Sequence, residues 1–123
     1  MGNFHTFVME KELIPAFKVV FLEDAVTFLE NMEPKARMKV YYNIRKAQCI
    51  QDPELFKKLN EHIREFRTLY QGKAYRLFAF RCRQGNSETV VVTTHGILKK
   101  TQRTPPKEIR KAEEMRKQYL ETI

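Results

Sequence analysis

With 123 residues, 42% of them hydrophobic and nine of them Phe, the chain has the length of one domain and the apolar content for one core. Its formal net charge of +8 is unevenly placed: residues 1–32 carry two Lys and five acids, so residues 33–123 carry +11. The composition excludes membrane-spanning helices, because no apolar run approaches the roughly 20 residues such a helix needs. Charge asymmetry of this sign favours a nucleic-acid partner, with an acidic protein as the second choice.

The chain opens on MGNFHTFVMEKELIP, which has an acidic flank and no small-residue cleavage site. No secretory signal is expected, and the cytoplasm is the expected location. Residues 1–15 read as an N-terminal arm, and residues 16–123 as a single domain. FKVVF (Phe17 to Phe21) is short, apolar and β-branched, which predicts a first strand. LEDAVTFLENM then places Leu22, Val26, Leu29 and Met32 at helical spacing with acids between them. Asn31 to Pro34 breaks this helix. PKARMKVYYNIRKAQC restarts one, with Pro34 in its first turn and Val40, Ile44 and Ala47 as its apolar stripe. So short a break predicts an antiparallel helical hairpin. Asp52-Pro53-Glu54-Leu55-Phe56 reads as a compact helix start, good for one or two turns through Leu59.

Three strands follow: IREFRTLY, KAYRLFAFRC and ETVVVTTHG. Gln71-Gly72 is a tight turn between the first two, and a longer turn from Arg83 to Ser87 joins the second and third. The chain leaves the sheet through ILKKTQRT. Thr104 is positioned to cap a last helix, PPKEIRKAEEMRKQYL, with Ile109, Ala112, Met115 and Tyr119 as its buried stripe. The predicted order is β-α-α-(short α)-β-β-β-α. This is an α+β fold, a helical hairpin and a C-terminal helix on a small, mainly antiparallel sheet.

Three His and two Cys lie at spacings that match no zinc or iron pattern, so no metal and no cofactor is expected. Cys49 and Cys82 have no CxxC partner and are expected as thiols rather than a disulfide. Phosphate-cradle and nucleophile-elbow motifs are missing from the sequence. Any chemistry must therefore come from Arg, Lys, Glu and His. Strand parity puts Glu65 and Arg67 on one face, and Arg76 on a face with Phe78, Phe80 and Cys82. Taken alone, Glu65 and Arg67 read as a charge pair on a solvated sheet face. Arg76 is different: a charge at the border of an apolar face needs a carboxylate or an anionic ligand, and Glu65 on the adjacent strand is available. His95, at the expected end of the third strand, could project past the sheet edge, although a lone His is more often structural. With Lys99 and Lys100 these groups form a basic patch holding one carboxylate and one imidazole. Such a patch suits metal-independent RNA cleavage, in which the RNA supplies its own 2′-hydroxyl as nucleophile. A binding module without chemistry would present the same residues.

Three segments give the chain a family likeness: IREFRTLYQGKAYRLFAF, VVVTTHGILKKTQRTPPKEI and IRKAEEMRKQYL. In these the sequence resembles the RelE/ParE superfamily of toxin–antitoxin toxins, and it looks closest to the phage-derived HigB-like branch. What the resemblance implies is a RelE-like fold and a ribosome-dependent mRNA endonuclease. Its partners would be mRNA in the ribosomal A site and an antitoxin, expected to be a helix-turn-helix protein that forms an oligomer with the toxin. Carried over by position, Arg76 would stabilise the phosphoryl group, while Glu65 and Arg67 would supply a base and a second cation. His95 is a candidate general acid, and Arg64, Lys99, Lys100 and Arg103 would bind RNA. The superfamily also contains gyrase-directed toxins without a nuclease site, so a non-nuclease toxin and an inactive prophage-derived binding module stand as alternatives.

Overall fold

In the computed structural model, which describes residues 15–84, 88–99 and 103–123, five strands and three helices follow the order β-α-α-β-β-β-β-α. The elements are β1 (Lys18–Phe21), α1 (Glu23–Glu30), α2 (Pro34–Cys49), β2 (Phe56–Lys58), β3 (Ile63–Tyr70), β4 (Lys73–Gln84), β5 (Glu88–Lys99) and α3 (Pro106–Glu121). The strands form one sheet in the order β1-β5-β4-β3-β2. Strand β1 runs parallel to β5, and every other pairing is antiparallel. Among the described residues no helix is long and apolar enough to cross a membrane.

Helices cover both faces of the sheet. On one face, Ala25 and Leu29 of α1 and Ala36, Val40, Ile44 and Ala47 of α2 pack with Phe66, Tyr75, Leu77, Ala79 and Val91. The stripe expected for α2 is therefore its buried side, with Asn43 buried among it. The Asn43 amide donates to Thr68 Oγ1 at 3.1 Å, which satisfies a polar pair inside this layer. On the other face Ile63, Phe78, Phe80, Val90 and Val92 pack with Ala112, and Ile109, Tyr119 and Leu120 of α3 close over them. Alternation along β4 thus feeds two cores, which is why its middle, Leu77 to Phe80, is apolar without a break. Cys82 faces α3 while Cys49 ends α2 on the opposite side of the sheet, and the two form no disulfide.

The stretch from Asp52 departs from expectation. Asp52 Oδ1 accepts the Glu54 amide, and the Asp52 carbonyl accepts the amides of Leu55 and Phe56, which closes a single turn. The chain then enters β2 instead of continuing as a helix, so the sheet has a strand more than predicted. The gain is burial of Phe56, paired with Phe66 and stacked on its ring at 4.3 Å. The β3–β4 turn is as predicted, with positive φ at both Gln71 (49°) and Gly72 (74°). Strands β4 and β5 extend to Gln84 and from Glu88, so only residues 85–87 of the Arg83–Ser87 turn lie between them, outside the described residues. The N-terminal arm falls almost wholly outside them as well. Strand β5 runs on through His95 to Lys99, past the Gly96 where the sequence suggested an end.

A bulge in β5 decides what this strand offers. Phe78 pairs with His95 but Ala79 pairs with Thr93, which leaves Thr94 as the extra residue. The Thr94 hydroxyl lies 3.3 Å from the Phe78 carbonyl and donates to it. Strict alternation from Val90 and Val92 would have turned His95, Ile97 and Lys99 toward the face that α1 and α2 cover. The inserted residue returns them to the face that carries Arg76.

Candidate active site

Three rows cross the α3 face of the sheet near the β3–β4 turn. Register places Glu65, Phe78 and His95 in one, Arg67, Arg76 and Ile97 in the next, and Leu69, Ala74 and Lys99 in the third. Helix α3 covers the apolar end of this face and leaves the polar rows near its N-terminus.

Glu65 is the centre. Its relative exposure is 1%, which an unpaired carboxylate could not sustain. Oε2 lies 3.6 Å from Arg76 Nε and 3.7 Å from Arg67 Nε, while Oε1 accepts the Thr104 hydroxyl at 3.0 Å. Thr104 in turn lies 3.4 Å from Lys99 Nζ. Arg67 is also 3.7 Å from the exposed Glu54. At these lengths the ion pairs are electrostatic contacts rather than hydrogen bonds, and among the described residues the buried Nε atoms of both arginines have no hydrogen-bond partner. Arg76 also donates from Nη1 to the Tyr75 carbonyl at 3.2 Å. Burial lowers the Arg76 pKa from its ordinary value; Glu65 opposes the shift and Arg67 adds to it. Burial also lowers the Lys99 pKa, reinforced by the Arg76 charge and only partly offset by Glu65. The cluster therefore gathers three cations around one buried carboxylate, with the exposed Glu54 at its margin, an arrangement that stabilises an added anion.

His95 belongs to a separate arrangement. It is 3% exposed and stacked on Phe78 at 4.8 Å between centroids. Phe78 stands between it and Glu65, so the imidazole is two strands from that carboxylate, about 10 Å. Nδ1 lies 3.0 Å from Thr94 Oγ1, and Nε2 lies 3.1 Å from Oε1 of Glu108 on α3. Burial lowers the His95 pKa below its ordinary 6.5, and the hydrogen bond that Nε2 donates to the Glu108 carboxylate opposes this only in part. Neither ring nitrogen is directed at the Glu65 cluster. In this position His95 anchors α3 to the sheet.

Of the remaining residues singled out from sequence, Lys99 joins the Glu65 cluster and is 8% exposed. Arg64 faces the opposite side of the sheet, its guanidinium 5.5 Å from the Phe56 ring centroid. Arg103 is exposed on the segment entering α3, and Lys100 lies outside the described residues. Two participants were missed. Thr104 does not cap α3, whose N-cap is Pro105, so its hydroxyl is available to Glu65. Lys57 pairs directly with Glu65 across β2 and β3, a neighbour hidden while this stretch was read as helix. A threonine four residues beyond a Lys pair carries no recognisable signal; the pairing of Lys57 could have been found by reading FKK as an edge strand.

A sequence profile of the family described as phage derived protein Gp49-like (DUF891) matches residues 27–117, a span that includes Glu65, Arg67, Arg76, His95, Lys99, Thr104 and Glu108. No curated protein and no solved structure matched the chain. With three quarters of its length matched to that profile, the chain belongs to the phage-derived Gp49-like family, RelE/ParE-like toxins of toxin–antitoxin systems, and an antitoxin is its implied partner.

Proposed function

We propose that the chain is a ribosome-dependent mRNA endonuclease of RelE-like topology and HigB-like type, formed by residues 16–123 as one toxin domain. Its substrate in this reading is mRNA in the ribosomal A site, and a helix-turn-helix antitoxin silences it by forming an oligomer with it. The observation that supports this best is the pair of guanidiniums around the buried Glu65, each with an Nε donor unused among the described residues and together with Lys99 still exceeding the charge of Glu65 and Glu54. A phosphodiester supplies the missing negative charge and acceptors in one group.

In the reaction the 2′-hydroxyl oxygen bonds to the adjacent phosphorus and the P–O5′ bond breaks, leaving a cyclic phosphate and a 5′-hydroxyl. Arg76 and Arg67 carry the charge that grows on the phosphoryl oxygens. Glu65, engaged by both arginines and Thr104, holds the cations in place and accepts the 2′-hydroxyl proton once Thr104 gives way. For the proton delivered to the leaving oxygen, geometry favours Lys99 over His95. Lys99 lies at the cluster and burial has brought its pKa down, whereas His95 has both nitrogens engaged elsewhere.

Induced expression without antitoxin, with mRNA 5′ ends mapped over the first minutes, tests this. Cuts in codon register within translated regions are expected, and Arg76→Ala should abolish them. Growth arrest with intact transcripts, or no arrest, would refute the nuclease reading.

A further inference from the structure

A cleft lies on the other face of the sheet, between the C-terminal end of α2 and strands β2, β3 and β4, with a volume of about 460 Å³. That is the size of a small-molecule site. Its floor is apolar, built on Phe17 and Phe56, whose rings pack at 5.6 Å. Its walls carry the amides Gln48 and Gln51, and cations stand at its mouth: Lys58, Arg64 and Arg81. Among the described residues neither arginine makes an ion pair; burial lowers the Arg64 pKa, and the nearby Arg81 charge lowers it further. The lining acid, Asp52, is engaged as acceptor of the Glu54 amide. Two like charges converging on an apolar cleft form a site for an anion with a flat, partly apolar body.

The edge strand joins this cleft to the Glu65 cluster. Lys57 pairs with Glu65 and shares its face, while Lys58 pairs with Arg64 and shares the other. Both lysines are exposed. A basic track thus runs from the arginine cluster over the β2 edge to the cleft behind. We propose that the cleft is a nucleotide subsite for single-stranded RNA that passes over the β2 edge, its phosphate held by Arg64, Arg81 and Lys58 and its base in the apolar cleft beside the amides. The inference rests on the reading of the Glu65 face as an RNA site. It predicts that affinity depends on RNA length, since only a strand that turns the edge reaches the second subsite.

Fluorescence anisotropy of the purified full chain tests this with 5′-labelled oligouridylates of 4 and 12 nucleotides. Arg64→Ala/Arg81→Ala should weaken the 12-mer by about tenfold or more, reduce its salt slope by about one at most, and leave the 4-mer unchanged. Arg76→Ala should weaken both. A melting temperature like that of the parent certifies the variant's fold. Independently, a 12-mer carrying 4-thiouridine should crosslink to peptides containing Phe17, Gln51 or Phe56. Equal loss for both lengths, or crosslinks confined to the Glu65 face, would overturn the subsite while leaving the Glu65 reading intact. Failure of the parent chain to bind the 12-mer would overturn the subsite too, and codon-register cleavage in cells would then show the nuclease reading standing alone.

Discussion

Replacing Glu65 with Gln keeps the size and the Thr104 contact and removes only the charge. At an effective dielectric of about 20, a pair 3.6 Å apart is worth about 4 to 5 kcal/mol of Coulomb attraction before desolvation is counted. The Arg67 pair at 3.7 Å is nearly as close, but its guanidinium is 22% exposed and has Glu54 as a substitute, so it is discounted. The Arg76 side chain is only 9% exposed and has no second carboxylate within ion-pair distance among the described residues. Removing its partner leaves a buried uncompensated charge, a change that costs about 3 to 5 kcal/mol. Against a total stability of about 5 to 15 kcal/mol, Glu65→Gln should shift the urea midpoint strongly with the m value unchanged. Adding Arg76→Gln should restore much of the loss, because the orphaned charge goes with it. A Glu65→Gln midpoint within about 0.5 kcal/mol of the parent, or a double variant weaker than the sum of the two single variants, would refute the argument that Glu65 compensates these arginines.

Other outcomes follow from the packing and the titrating groups. A Cβ added at Gly96 would overlap the Phe28 ring, so Gly96→Ala should cost about 1 to 3 kcal/mol in urea unfolding, and a neutral result would mean the ring moves aside freely. Asn43→Ala should cost about 1 to 3 kcal/mol by leaving the Thr68 hydroxyl unpaired, whereas Asn43→Ala/Thr68→Val should recover part of it. Because burial lowers the His95 pKa, the folded state binds fewer protons there than the unfolded state does. Stability from this group is complete above about pH 6.5 and is lost as pH falls through the lowered folded value. Melting of the parent and His95→Gln chains should therefore converge below pH 6.5, and parallel curves across pH 5 to 8 would contradict the assignment.

Local pattern made much of this legible. The span of α2 follows from Pro34 at its start and the Val40, Ile44, Ala47 stripe, and the β3–β4 turn from Gln71-Gly72. With that turn two residues long, the register of β3 against β4 follows, and so does the meeting of Glu65, Arg67 and Arg76 on one face. These are near-neighbour relations, carried by side-chain period and turn chemistry.

What the tertiary structure alone decided depends on contacts distant in sequence. Phe56 is a strand residue paired with Phe66 and stacked on its ring, a contact ten residues away in the chain. Thr104 serves Glu65 rather than α3 because the packing of α3 brings residues 39 apart together. The inserted Thr94 turns His95 and Lys99 to the α3 face, and Phe78 then sorts them, Lys99 toward the arginines and His95 toward Glu108. A one-residue bulge leaves no mark on composition or spacing, yet it reverses the facing of every residue beyond it. The sequence by itself therefore determined which charges are present and where β3 and β4 put them; the contribution of β5 was settled only by the paired sheet.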